Sequence, residues 1–160
     1  MKLKRTRHNI KTINNIVQHP DVFCMTWDDH SKYLKDSDFG SAFLSIPSIA
    51  ALMPKIGCLF LLTQNSLTFS ELHTMIIPEA RGVGAIEAGK EAAIWYFENT
   101  SCKKIVTLIP EFNKPARIFA KKFGFEPNGN NTKSFLRDGI LYDQHIYGLE
   151  KEKFLCQQSL

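Results

Sequence analysis

No stretch of this sequence approaches the roughly 18 consecutive apolar residues that a membrane-spanning helix needs. The longest apolar run, Ile56 to Thr63, is of strand length. The basic start leads into Ile10-Lys11-Thr12-Ile13-Asn14-Asn15 rather than an apolar segment, so no secretory signal is expected. Cysteine is sparse and scattered: Cys24, Cys58, Cys102 and Cys156 have no short pair spacing, which argues against a zinc site and against a disulfide framework. The compartment expected from this usage is the reducing cytoplasm. Repeats and low-complexity tracts are missing as well. Acid is absent from the first eleven residues, where Lys2, Lys4, Arg5, Arg7 and Lys11 carry more than the whole net charge of +4. The body beyond them is close to neutral. Such an arm suits a solvated edge strand whose lysines discourage sheet-to-sheet aggregation. No aromatic residue is interleaved with its charges, which disfavours a nucleic-acid partner, and no membrane partner is expected.

What is present is one domain's worth of chain, 160 residues with 44% apolar content. Its organising stretch is Glu71 to Glu91. Residues Leu67 to Ile77 are mostly apolar, β-branched or aromatic and are closed by Pro78, which predicts a strand. From Ala85 the period changes: Ala85, Ala88, Gly89, Ala92, Ala93, Tyr96 and Phe97 recur at helical spacing. Most of the early ones are small, so this helix can lie close to a sheet. Between strand and helix sits Arg81-Gly82-Val83-Gly84, where glycine leaves amide N–H groups uncovered. Those amides, the positive helix end and the Arg81 guanidinium converge on an anion site.

Around this stretch the pattern is mixed α+β. Ile10, Ile13, Ile16 and Val17 mark a short helix ending near His19-Pro20. Asp21 to Gly40 mixes aromatic and acidic residues and reads as a substrate-facing loop or a short second helix. Asp28, Asp29 and His30 there are consecutive loop residues, a poor arrangement for one metal ion. Strands are expected at Ile49–Met53, Cys58–Thr63, Leu67–Ile77 and Lys104–Ile109. A helix follows from about Asn113 to Phe123, then a hairpin of Thr132–Arg137 and Ile140–Gly148 turning at Asp138-Gly139. The domain is drawn over residues 1–150, with 151–160 as a loosely held tail.

Pro78, Arg81, Gly82 and Gly84, followed by Asn113, Ala116, Gly124 and Phe125, resemble the two signatures of the GCN5-related N-acetyltransferase (GNAT) superfamily: Pro-x-x-Arg-Gly-x-Gly, and Asn-x-x-Ala before a helix ending Gly-Phe. The resemblance covers about Leu67 to Leu149. It implies a mostly antiparallel sheet whose two parallel central strands splay apart, flanked by helices, with acetyl-coenzyme A as co-substrate and an amine or protein as acceptor. By position, Arg81, Gly82, Val83, Gly84 and Ala85 would take the pyrophosphate, Met75, Ile76 and Ile77 would pair with the pantetheine arm through their main chain, and Asn113 and Ala116 would border it. Asn113 also reads as a helix N-cap. Glu71 and His73 alternate with Leu72 and share one face of the strand; the resemblance makes them candidates for the base.

Two departures accompany this. The tyrosine that often protonates the departing thiolate would fall at Ala120, leaving Tyr142, with Tyr147 as the other hairpin candidate. Ile86 stands where Gly or Ala is usual, followed by Glu87, so crowding and repulsion of the pyrophosphate are expected. From His19-Pro20 through Glu71-Leu72-His73-Thr74 to Tyr147-Gly148-Leu149, the sequence is most similar to a small acetyltransferase-like family of tailed bacteriophages and prophages, some of whose members are labelled head-assembly proteins. That likeness implies phage structural proteins as partners and host cytoplasm or virion as location.

Overall fold

The structure, a computed structural model, describes residues 10–158. Of the arm expected as an edge strand, Lys2, Lys4, Arg5 and Arg7 lie outside the described residues, and Lys11 falls in the first helix. Two helices open the described chain, α1 (Ile10–Val17) and α2 (Pro20–Thr26), the second started by Pro20 at its first turn with the His19 ring accepting from the Asp21 amide. A 3-10 turn at Lys32–Leu34 leads to α3 (Phe39–Ser45), capped by Asp38. Then come β1 (Ile49–Leu52), β2 (Cys58–Gln64), β3 (Phe69–Ile76), α4 (Val83–Asn99), β4 (Lys104–Pro110), α5 (Lys114–Phe123), β5 (Glu126–Arg137), β6 (Ile140–Glu150) and α6 (Lys151–Gln158). Among the described residues the sheet has six strands in the order β1-β2-β3-β4-β6-β5. Only β3 and β4 run parallel, as a strand–helix–strand crossover through α4 requires.

The sheet separates two cores. Ala85, Ala88, Ala92, Ala93 and Phe97 of α4 pack with Phe60, Leu62, Leu72, Ile105 and Phe123 on one face. On the other, Ile13, Ile16, Val17, Val22, Phe23 and Phe39 of α1 to α3 cover Leu59, Leu61 and Met75. The apolar run in β2 is therefore explained by burial on both sides, its side chains alternating between the two cores. The close approach shown for the small residues of α4 is to another helix, α5: a β-carbon at Gly89 would lie 2.7 Å from the Phe123 ring.

Two expectations are corrected. Residues 151–158 are no loose tail but α6, whose Phe154 is 1% exposed between Phe97 and Phe123. One aromatic residue among charged ones fixes the helix, and a polar average conceals it. The first hairpin strand begins at Glu126 rather than Thr132. Pro127-Asn128-Gly129-Asn130-Asn131 carries turn chemistry, yet on an edge strand the irregularity is taken up by register shifts at Pro127/Gly129 and Asn131/Phe135. Of the two readings of Asp21 to Gly40, the short second helix is present as α2, and Asp29 beyond it serves as a tether: its carboxylate accepts from the amides of Asp138 (3.0 Å) and Gly139 (2.8 Å) at the tip of the β5–β6 hairpin. Lys32 bridges Asp29 at 2.6 Å and Asp138 at 2.8 Å.

Phe154→Ala is expected to destabilise the domain by about 3–5 kcal/mol, measured by denaturant unfolding. The tether has a pH signature: the Lys32 ammonium, then the Gly139 and Asp138 amides, hold the Asp29 carboxyl down at about 2 from 3.8. Because this pKa is lowered in the folded state, its contribution is complete above the unfolded value and is lost as pH falls through the folded one. Exchange protection of the Asp138 and Gly139 amides should therefore hold from neutrality to about pH 4 and fall away towards about pH 2.

Candidate functional site

The site is made by a sheet that comes apart. Strands β3 and β4 are registered only over Phe69↔Lys104, Ser70↔Ile105 and Glu71↔Val106. Beyond Glu71, β3 remains paired with β2 as far as Cys58↔Ile76, while β4 remains paired with β6 as far as Pro110↔Gln144. Each strand is held on its outer side and diverges from the other on its inner side. The backbone of Leu72 to Ile76 thus faces a gap, presenting N–H and C=O groups that an extended ligand chain can pair with. The gap opens at the carboxyl ends of the strands, the end at which parallel sheets receive ligands.

At this end β3 passes through a 3-10 turn, Pro78–Ala80, into Arg81-Gly82 and the start of α4. Gly82 has φ 103, a left-handed conformation that side chains rarely adopt, and a β-carbon there would meet nothing within 4 Å. Arg81, Gly82, Val83 and Gly84 are exposed, Val83 to 75%. The first helical bonds run from the Ala85 and Ile86 amides to the Gly82 carbonyl, so the amides of Val83 and Gly84 stand before the helical ladder begins. Ile86 is half-buried, and Glu87 is exposed and paired with Lys90 at 3.6 Å. No side-chain atom of either lies within 4 Å of where a Gly82 β-carbon would be.

Sequence reasoning missed a second cation here. The turn before β2 docks on the turn after β3, with the Ile77 amide donating to the Gly57 carbonyl at 3.1 Å. This lays Lys55 over the start of α4, its Nζ 2.5 Å from where a Gly84 β-carbon would be. An ammonium on the positive end of a helix is electrostatically unfavourable unless an anion joins it. Lys55 therefore stands at the same turn as the exposed Arg81, and the missing side chain at Gly84 leaves room for the lysine. The signal was the β2–β3 register, which puts Cys58 beside Ile76 and so Lys55 near the glycine turn.

Glu71 and His73 come together: His73 Nε2 lies 3.5 Å from Glu71 Oε1, with side chains 44% and 27% exposed respectively. They share the β3 face that carries Met75, the side of the sheet covered by α1 to α3. Met75 is buried, and Ile76 and Ile77 pack at the margin of the other core. Asn113 caps α5, its side-chain oxygen accepting from the Ala116 amide at 3.2 Å. Ala116 packs against the core, and Ala120 is 3% exposed in it. Tyr142 makes no hydrogen bond or ring contact with Glu71 or His73. Its ring meets Phe112 edge-on at 4.9 Å, beyond the last β4–β6 pair, and Phe112 also carries the Arg137 guanidinium at 4.6 Å. Tyr147, registered with Thr107, is buried in the α4–α5 core.

No protein-family model matches the sequence, and none of the curated proteins does. Among solved structures, the fold is similar to spermidine N-acetyltransferase from Vibrio cholerae, solved in complex with CoA and spermine, with TM-score 0.73 and 16% identity over 91% of this chain and 92% of that one. It is also similar to the ribosomal-protein-S5-alanine acetyltransferase of Vibrio fischeri, with TM-score 0.71 and 13% identity over 92% and 91% of the two chains. The chain has the GNAT fold: a single α+β domain whose mostly antiparallel sheet contains one parallel, splayed pair.

Proposed function

We propose that this protein is an acyltransferase of the GNAT type, moving an acetyl group from acetyl-coenzyme A to an amine. The observation that carries the reading is the coincidence, at one end of the sheet, of the β3–β4 gap with the exposed Arg81-Gly82-Val83-Gly84 turn and the Lys55 ammonium. A pyrophosphate fits the turn, because its amides are uncovered and no side chain closes over Gly82. A pantetheine arm fits the gap, because Met75, Ile76 and the residues before them lack a β4 partner there. Asn113 and Ala116 border it at the start of α5. When bound, acetyl-coenzyme A would supply a thioester activated toward attack.

The residues of this chain then have distinct tasks. Glu71, paired with His73, takes the proton of the acceptor ammonium, directly or through a water, so that a neutral amine can attack. Main-chain N–H groups near Met75 and Ile76 steady the carbonyl oxygen. Tyr142, packed beside Phe112 one residue before Asn113, returns a proton to the departing thiolate in place of the tyrosine that Ala120 replaces. One observation favours a second reading. The buried Ala120 is what a phage assembly protein would carry if it kept the scaffold and used its faces for protein contact without catalysis.

Calorimetry with acetyl-coenzyme A separates the two. A dissociation constant in the micromolar range is expected of the enzyme, whereas no heat at millimolar ligand supports the assembly reading. Lys55→Ala and Arg81→Ala should each weaken binding by about tenfold, an effect that shrinks with added salt. In the steady state, Glu71→Gln should lower kcat by about 10²- to 10⁴-fold with little change in KM for acetyl-coenzyme A. Tyr142→Phe should lower kcat by about tenfold or more; an unchanged kcat would remove Tyr142 from the mechanism.

A further inference from the structure

The β5–β6 hairpin and the segment after α2 are joined by more contacts than a surface loop needs. The Asp29 amide donates to the Leu136 carbonyl at 2.9 Å, and the Asp29 carboxylate accepts from both amides of the Asp138-Gly139 turn. Lys32 ties the two aspartates together. Arg137 reaches Met25 Sδ at 3.6 Å. Trp27, between these struts and α2, packs its ring on Phe23 at 5.8 Å and Phe39 at 5.0 Å. The hairpin end is made for this contact, with Asp138 at φ 51 and Gly139 at φ 75 turning both amides outward.

The topology gives the contact its meaning. Helix α2 packs on β3, with Val22 and Phe23 in one cluster with Met75. The hairpin belongs to β6, whose pairing with β4 ends at Gln144 and whose first residues, from Ile140, therefore run about 13 Å past the end of β4. Joining Asp29 to the hairpin tip closes a ring: β3, α2, the Trp27–Asp29 segment, the tip, β6 and β4. The ring surrounds the mouth of the β3–β4 gap on the side where Glu71 and His73 lie. Phe112, Phe135, Tyr142 and Arg137 stand on its hairpin side.

We propose that the Asp29 tether makes the acceptor entrance a closed portal, so that the protein acetylates amines carried on slender, flexible chains and rejects lysines on the surface of folded proteins. This rests on the acyltransferase reading and adds the acceptor class to it. An open groove admits a folded surface from the side; a ring requires the amine to be threaded through.

The test compares kcat/KM for a short unstructured peptide with a free amine against a natively folded, lysine-rich protein, using the unsubstituted enzyme and Asp29→Ala, with amide exchange at Asp138 and Gly139 reporting the tether. The unsubstituted enzyme should prefer the peptide by about 100-fold or more. Asp29→Ala should lose protection of the two amides and cut that preference about tenfold by raising the folded-protein rate, with acetyl-coenzyme A affinity unchanged in calorimetry. If Asp29→Ala does not fold, Lys32→Ala should move the preference in the same direction to a smaller extent. Coenzyme binding with equal rates on both acceptors, or a preference unchanged once the amides have lost protection, overturns the portal alone. Failure of the unsubstituted protein to bind acetyl-coenzyme A overturns the acyltransferase reading and the portal with it.

Discussion

The site depends on two central strands that begin as neighbours and then follow different partners. Backbone N–H and C=O groups left without partners are unfavourable, so a gap inside a sheet persists only if something else holds its walls open. Here β2 holds β3 as far as Ile76, and β6 holds β4 as far as Pro110. The two cores act in the same sense. Met75 is drawn toward α1 to α3, and Ile109 toward α5. The unmet hydrogen-bonding capacity of β3 becomes a place for an extended molecule with amides of its own.

Charge is arranged with the same economy. Apart from its first residues the chain is almost neutral, yet two cations and the positive end of its longest helix meet at the glycine turn. Neither cation is close to the turn by accident of sequence: Arg81 is part of it, and Lys55 arrives because the turn before β2 packs on the turn after β3. At the other side of the gap the balance differs. Asp29, Lys32, Arg137 and Asp138 compensate one another, and Glu71 and His73 form a separate pair.

Two features are set by single side chains in otherwise polar segments. Phe154 converts a charged C-terminal stretch into α6 by filling the space between Phe97 and Phe123. Asp29 converts an unreadable loop into a strap by satisfying two amides of a turn more than a hundred residues away. Composition averages hide both, because packing and capping act through one residue at a time.

Taken alone, the sequence determined what local chemistry controls. The change of period at Ala85 fixed the helix and its buried face, the Asp138-Gly139 pair fixed the hairpin, Asn113 fixed a cap, and the glycines around Arg81 fixed an exposed turn. Tertiary structure alone decided where β3 and β4 part, that Ile86 and Glu87 stay clear of Gly82, that Lys55 stands over Gly84, that Tyr142 joins Phe112 rather than Glu71, and that Asp29 closes a ring. The reason is physical: periodicity and turn propensity report on neighbours within a few residues, whereas register, divergence and tethering are decided by contacts between segments far apart in the chain, for which one sequence carries no local signature.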